Sequence, residues 1–159
     1  MTEPGKYIRD SRAIISQVML PTDANVTGNV HGGMIMKMAD DAGAIVAVRH
    51  SRRIVVTVAV DSITFLSPIY VGNLVTFTAT LSYVGRTSME VEVLVEAEDL
   101  LTGEKTHTNT AYLVYVALDE HGRPSEVPPL IPETDEERER IANGRKRQEA
   151  RLSRRREGI

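Results

Sequence analysis

The sequence predicts an α+β fold in which an antiparallel sheet wraps one long central helix and a charged helical tail follows. Three observations carry that reading. Residues 33–50 are apolar almost all the way round, with Lys37, Asp40 and Asp41 the only charges before the end. A helix of that kind must be surrounded by protein. From residue 53 the hydrophobic period changes to two, the signature of strands. The breaks between those strands, such as Gly85-Arg86 and Thr102-Gly103, are hairpin-length and therefore imply antiparallel pairing. A sheet with one apolar face and a single apolar helix bury each other.

Taken in order, residues 1–11 are polar and expected to be loose. Residues 12–20 carry Ile14, Ile15, Val18 and Met19 as a first strand, and Pro21 ends it. A loop rich in Asn, Asp and Gly runs to Gly32, and the helix follows. Residues 53–60 are β-branched; Asp61-Ser62 interrupts them, and 63–66 continue towards Ser67-Pro68. Residues 73–84 alternate Val75, Phe77, Ala79 and Leu81 with threonines. Residues 87–98 alternate Met89, Val91, Val93 and Val95 with glutamates, so one face is buried. Residues 105–118 form the last long strand. Pro124, Pro128, Pro129 and Pro132 then make an extended arm. From Glu133 a helix opens with acids and ends with arginines, as the helix dipole favours. The organisation is thus a flexible segment 1–11, one domain 12–132 and a helical tail 133–159.

The 159 residues suffice for one domain with a core, and a net charge of −3 calls for no polyanionic partner. The absence of cysteine excludes disulfides, thiolate zinc sites and cysteine nucleophiles. The four histidines, His31, His50, His107 and His121, are not at metal-ligand spacing, so no metal is expected. No stretch approaches a membrane span and no signal peptide is recognisable. A soluble cytoplasmic protein is expected, without nucleic-acid or membrane partners.

The stretch from Asn25 to Asp41 holds the candidate chemistry. A glycine-rich loop meets a bare helix start, where N–H groups and the positive dipole end suit an oxygen that develops charge. Asp41 has Lys37 one turn before it and is a paired surface acid. Asp40 lies between Met36 and Ala44 and is the better general-base candidate. It could equally cap a loop or meet a buried arginine. Gly32 and Gly33 either permit a turn or supply oxyanion N–H groups, and Asn25 and Asn29 suit Asx turns. His31 reads as a helix-entry residue, and Asp61 and Ser88 as turn residues. No GxSxG elbow marks a serine nucleophile.

Several segments together carry a resemblance. They are Asp23-Ala24-Asn25-Val26, Gly28-Asn29-Val30-His31-Gly32-Gly33 and Ile35-Met36-Lys37-Met38-Ala39-Asp40. Further on come Asp61-Ser62-Ile63-Thr64-Phe65-Leu66-Ser67-Pro68, Gly85-Arg86-Thr87-Ser88-Met89-Glu90-Val91 and Val127-Pro128-Pro129-Leu130-Ile131-Pro132-Glu133. In this order the chain resembles the hotdog-fold acyl-CoA thioesterases of the cytosolic (brain-type) acyl-CoA hydrolase and YciA-like branch. The resemblance implies a hotdog fold, a homodimer with sheets joined edge to edge, and a trimer of dimers. It implies hydrolysis of acyl-CoA to a fatty acid and coenzyme A, with coenzyme A as part of the substrate and no cofactor. Asp40 falls on the family's catalytic aspartate, acting as general base or as nucleophile through a mixed anhydride. Asn25 falls on its asparagine, contributed by the partner subunit. The N–H of Gly33, with Gly32, would hold the oxyanion.

Arg86, Thr87 and Ser88 fall near the coenzyme A nucleotide. Arg145, Lys146 and Arg147 are a second candidate for it, against the plain reading of a solvated charged helix. Two rivals are weighed. A hydratase of this fold needs an Asp–His pair, for which Asp23 and His31 are poorly spaced. A non-catalytic acyl-CoA sensor could use the arginine-rich tail on nucleic acid, but no helix-turn-helix module precedes residue 12 and the tail lacks aromatic residues. Acyl-chain length is left open.

Overall fold

The fold is built around one helix laid across a curved sheet, seen in a computed structural model that describes residues 3–61 and 63–158. Ser62, half of the expected Asp61-Ser62 break, lies outside the described residues, as do Met1, Thr2 and Ile159. Strand β1 spans Lys6–Tyr7 and β2 Ala13–Val18. Helix α1 spans Gly32–Ser51. Then come β3 (Ile54–Asp61), β4 (Leu74–Val84), β5 (Ser88–Glu98), β6 (Lys105–Leu118), β7 (Leu130–Ile131) and helix α2 (Asp135–Arg156). The main sheet has the order β2-β4-β5-β6-β3 with every pairing antiparallel, so β3 is an edge strand.

Period-two patterning sends Val75, Phe77, Ala79 and Leu81 of β4, and Met89, Val91, Val93 and Val95 of β5, into the core. They meet Ile35, Met38, Ala39, Ala42, Val46 and Ala47 of α1. The small residues in that list let the helix lie close to the sheet. Arg52, with φ 56°, turns the chain out of α1 through the left-handed region. Only one face of α1 is covered within the chain. Met36, Ile45 and Val48 are exposed, and on the edge strand β3 so are Ile54, Val56, Val58 and Val60. An apolar helix flank and an apolar free strand edge are surfaces built to be covered.

Helix α2 lies on the opposite face of the sheet. Thr134 caps it by accepting the Glu137 N–H at 3.1 Å. At Gly144 the helix touches β4 so closely that a Cβ would come within 2.6 Å of Tyr83 Cβ and 2.7 Å of the Ser82 carbonyl.

Two expectations are corrected. The run 63–66 does not continue as strand: β3 ends at Asp61, and Leu66 is held by its N–H to the Thr108 carbonyl at 2.8 Å. Residues 6–11, expected to be loose, are tied down. Lys6–Tyr7 pairs in parallel with Leu130–Ile131, Ile8 is buried, and Lys6 Nζ donates to the His50 carbonyl at 2.7 Å. The pairing of Lys6–Tyr7 with the returning C-terminal arm is a long-range contact that local composition does not encode.

Candidate active site

Asp40 and Asp41 are neighbours on α1 with different fates. Asp41 points outward and pairs with Lys37 at 3.1 Å. Asp40, a turn edge away, faces strands β3 and β6. Thr57 Oγ1 donates to Asp40 Oδ1 at 2.7 Å. The Tyr115 hydroxyl lies 3.0 Å from the same oxygen and 2.8 Å from the Asp40 backbone carbonyl. The register shift in β3 between Thr57 and Ala59 marks a bulge beside this contact, a device that re-aims side chains. Tyr115 is fully buried in the core. Burial, then the Asp40 charge, raises its pKa well above the usual phenol range, so it stays a donor.

The loop before the helix forms a second cluster. Asn25 Oδ1 accepts from the Thr27 N–H at 2.9 Å, the Thr27 hydroxyl at 2.6 Å and the Asn29 N–H at 3.2 Å. Gly28, with φ +89°, closes that turn. Both hydrogen-bonding readings of Asn25 are compatible here: its oxygen makes the Asx turn, while its NH2 has no acceptor among the described residues. Helix α1 starts without a side-chain cap from His31. The Gly32 and Gly33 N–H groups therefore belong to the unsatisfied first turn. A Cβ on Gly33 would meet nothing within 4 Å, so that turn is open to a ligand. Asn25, Gly32, Ile35, Phe65 and Leu66 line one pocket of about 350 Å³.

Asp40 does not line that pocket, and no hydrogen bond joins it to Asn25 within the chain. One chain thus holds two separate clusters, an open helix start and a held carboxylate beside the free edge of β3.

The expected nucleotide contacts divide. Thr87 and Ser88 line a groove of about 860 Å³ between the outer face of β3 and β6 and helix α2, where Arg151, Arg154 and Arg155 also stand. Arg86 is exposed, 3.7 Å from Glu126, and does not line the groove. Arg145 and Lys146 are exposed and in no ion pair among the described residues. Arg147 differs from its two neighbours. Its guanidinium holds Glu90 at 2.7 Å and stacks on Tyr112 at 3.8 Å, so it is engaged in the fold. Asp61, expected in a turn, takes Arg151 at 2.5 Å. The acids of β5 and the end of β3 draw the tail arginines onto the sheet: Arg140 pairs with Glu92 at 3.1 Å and Arg151 with Glu90 at 2.8 Å.

Thr57 and Tyr115 were not singled out by sequence reasoning. Thr57 sits in a β-branched run that reads as plain strand. The Tyr115 hydroxyl is a polar atom on the buried face of β6 that needs a partner, and that is the available signal.

The family model described as Thioesterase superfamily matches residues 27–104. A solved acyl-CoA hydrolase from Staphylococcus aureus, in complex with butyryl coenzyme A, coenzyme A and coenzyme A disulfide, is 35% identical. It superposes with a TM-score of 0.89 over 98% of this chain and 94% of that one. The same protein has been solved with single alanine replacements of an asparagine, an aspartate and a threonine. The aspartate follows the asparagine by 15 residues and precedes the threonine by 17. A hexameric acyl-CoA thioesterase, solved in its apo form, is 37% identical with a TM-score of 0.90, over 96% of this chain and 97% of that one. The human cytosolic acyl coenzyme A thioester hydrolase is 41% identical over 86% of this chain, which spans 37% of that longer protein.

Proposed function

The chain belongs to the thioesterase superfamily, and from that premise we propose that it hydrolyses acyl-CoA to a free fatty acid and coenzyme A at sites shared by two copies, with Asp40 as general base. The observation that carries the site assignment is the separation of its halves. Asp40 is held by Thr57 and Tyr115 beside an uncovered strand edge, while Asn25 and the open helix start form a pocket of their own. A second copy laid along β3 covers the exposed Val56 and Val58 and brings one chain's Asn25 to the other's Asp40. The S. aureus hydrolase supports this reading, because its replaced residues have the types and spacing of Asn25, Asp40 and Thr57 here.

In the proposed reaction the thioester carbonyl lies at the start of α1, its oxygen on the Gly33 N–H with Gly32 beside it, and Asn25 orients the attacking water or the thioester. Asp40 takes a proton from water as the oxygen bonds to the carbonyl carbon. The negative charge that gathers on the carbonyl oxygen is met by N–H groups already in place. Collapse breaks the C–S bond, and the thiolate recovers the proton from Asp40 to leave as coenzyme A. A thiolate is a good leaving group, so no separate strong acid is needed. Coenzyme A enters as part of the substrate and leaves as a product, and the chemistry uses no further cofactor.

The nucleotide end of the substrate is assigned to Thr87 and Ser88, with Arg86, Arg145 and Lys146 as the available cations. The assembly is a homodimer at minimum and a trimer of dimers in full, supported by the hexameric relative. A cytoplasmic location is supported by the cytosolic human relative. Among the described residues no helix is long and apolar enough to cross a membrane.

Thiol release from acetyl- to palmitoyl-CoA tests the reading. Asp40→Asn and Asn25→Ala should each lower kcat by ~10²-fold or more with the oligomer intact. Mixed together and reassembled, the two inactive variants should recover roughly a quarter of wild-type activity, because a mixed C2 dimer carries one intact site. No recovery on mixing would place both residues in one chain's site and overturn the shared arrangement.

A further inference from the structure

We propose that Tyr115 is a positioning residue for this hydrolysis, holding Asp40 so that Oδ1 is engaged and Oδ2 is presented to water, and that Gly43 lacks a side chain in order to admit the Tyr115 hydroxyl. The inference rests on the function proposed above and adds the parts that aim its base.

A buried phenol must find a partner for its proton. Tyr115, near the C-terminal end of β6, finds two acceptors on a single residue. Its hydroxyl is shared between the Asp40 carbonyl at 2.8 Å and Asp40 Oδ1 at 3.0 Å. The first contact fixes the helix backbone at Asp40, and the second fixes the rotation of the side chain. Thr57 approaches the same oxygen at 2.7 Å from another strand. With two donors from two strands on Oδ1, the carboxylate plane cannot turn freely. Among the described residues no hydrogen bond reaches Oδ2, so that oxygen is the one left to act as base.

Gly43 lies three residues after Asp40 on α1 and is fully enclosed. A Cβ there would collide with the Tyr115 hydroxyl and come within 3.0 Å of ring carbons Cε2 and Cζ. The ring cannot retreat, because Tyr115 is fully buried in the packed core. Glycine is a poor residue for the middle of a helix. Its presence at this position is accounted for by the phenol that occupies the space.

The experiment measures kcat and KM for thiol release by the assembled enzyme in Asp40→Asn, Tyr115→Phe, Gly43→Ala and the Tyr115→Phe/Gly43→Ala pair. Tyr115→Phe keeps the ring and removes only the hydroxyl. Its kcat is expected to fall by about tenfold, the worth of one hydrogen bond to a charged group. KM and oligomeric state should stay as in wild type, a split that a general packing defect would not give. Gly43→Ala is expected to lower kcat similarly by displacing the hydroxyl. The double variant should then be no slower than the slower single one, since both changes break the same contact. If Tyr115→Phe does not assemble, Gly43→Ala alone decides: an unchanged kcat overturns the proposal. Wild-type kcat in Tyr115→Phe, with Asp40→Asn inactive, sinks the positioning role and leaves the hydrolase reading standing. Full activity in Asp40→Asn overturns that underlying reading as well.

Discussion

Asp40 and Asp41 differ by one position and by almost everything else. Asp41 makes an exposed pair with Lys37, a contact typically worth 0–1 kcal/mol. Asp41→Asn should therefore leave kcat within about twofold and thermal stability nearly unchanged, checked by thiol release and a melting curve. The pairing of Asp41 was legible in the sequence, because helical spacing gave it a lysine one turn before. What holds Asp40 was not legible. Thr57 and Tyr115 are 17 and 75 residues away, and only strand pairing with its bulge brings them in. His50 offers a test of pH at the same scale. It is buried, with Nε2 donating to the Pro128 carbonyl at 2.7 Å. Burial lowers its pKa, opposed by that hydrogen bond, with Lys6 lowering it further and Asp10 and Glu3 raising it. The unfolded chain therefore takes up this proton first, and stability falls as pH drops below the ordinary value of about 6.5. Melting temperatures between pH 8 and pH 5.5 should show that fall, and His50→Gln should flatten it.

Helix α2 shows how a charged element becomes part of a fold. Arg140, Arg147, Arg151 and Arg154 share the face turned to the sheet, and Glu92, Glu90 and Asp61 wait beneath them. Glu90 is only 1% exposed and also takes the Ser82 hydroxyl at 2.5 Å. Removing its charge takes the ion-pair partner from Arg147 and leaves Arg151 with Asp61 alone. Glu90→Gln should cost about 3–5 kcal/mol in denaturant unfolding, the scale for breaking one side of a buried pair. The helix itself was legible, from its acidic start and its basic end. Its destination was half legible: the arginines recur at helical spacing, and β5 carries glutamates on the face opposite its valines. What composition alone obscured was that the two stripes meet, so Arg147 grouped with Arg145 and Lys146 as a solvent-facing block. The same meeting argues against a nucleic-acid arm, since these cations are already neutralised.

At the scale of the whole molecule, one chain is an incomplete object. The antiparallel sheet and central helix were legible from the change of hydrophobic period and the hairpin turns. The sequence reads the helix as surrounded by protein, whereas within one chain a flank of it is uncovered and β3 shares that exposure. A charge on this edge should act without touching the chemistry. Val58→Lys is expected to dissociate the assembly and abolish thiol release, because a charge placed on a strand edge opposes edge-to-edge pairing. Light scattering beside the activity assay checks both halves of that statement.

The free edge of β3 also sets how rate should depend on the amount of enzyme. If a working site needs an edge from each of two chains, dilution below the dissociation constant makes turnover scale with the square of protein concentration rather than in proportion to it. Such a catalyst is silent when scarce and switches on steeply as it accumulates. Its expression level becomes a threshold, set by the strength with which a few exposed valines find their counterparts.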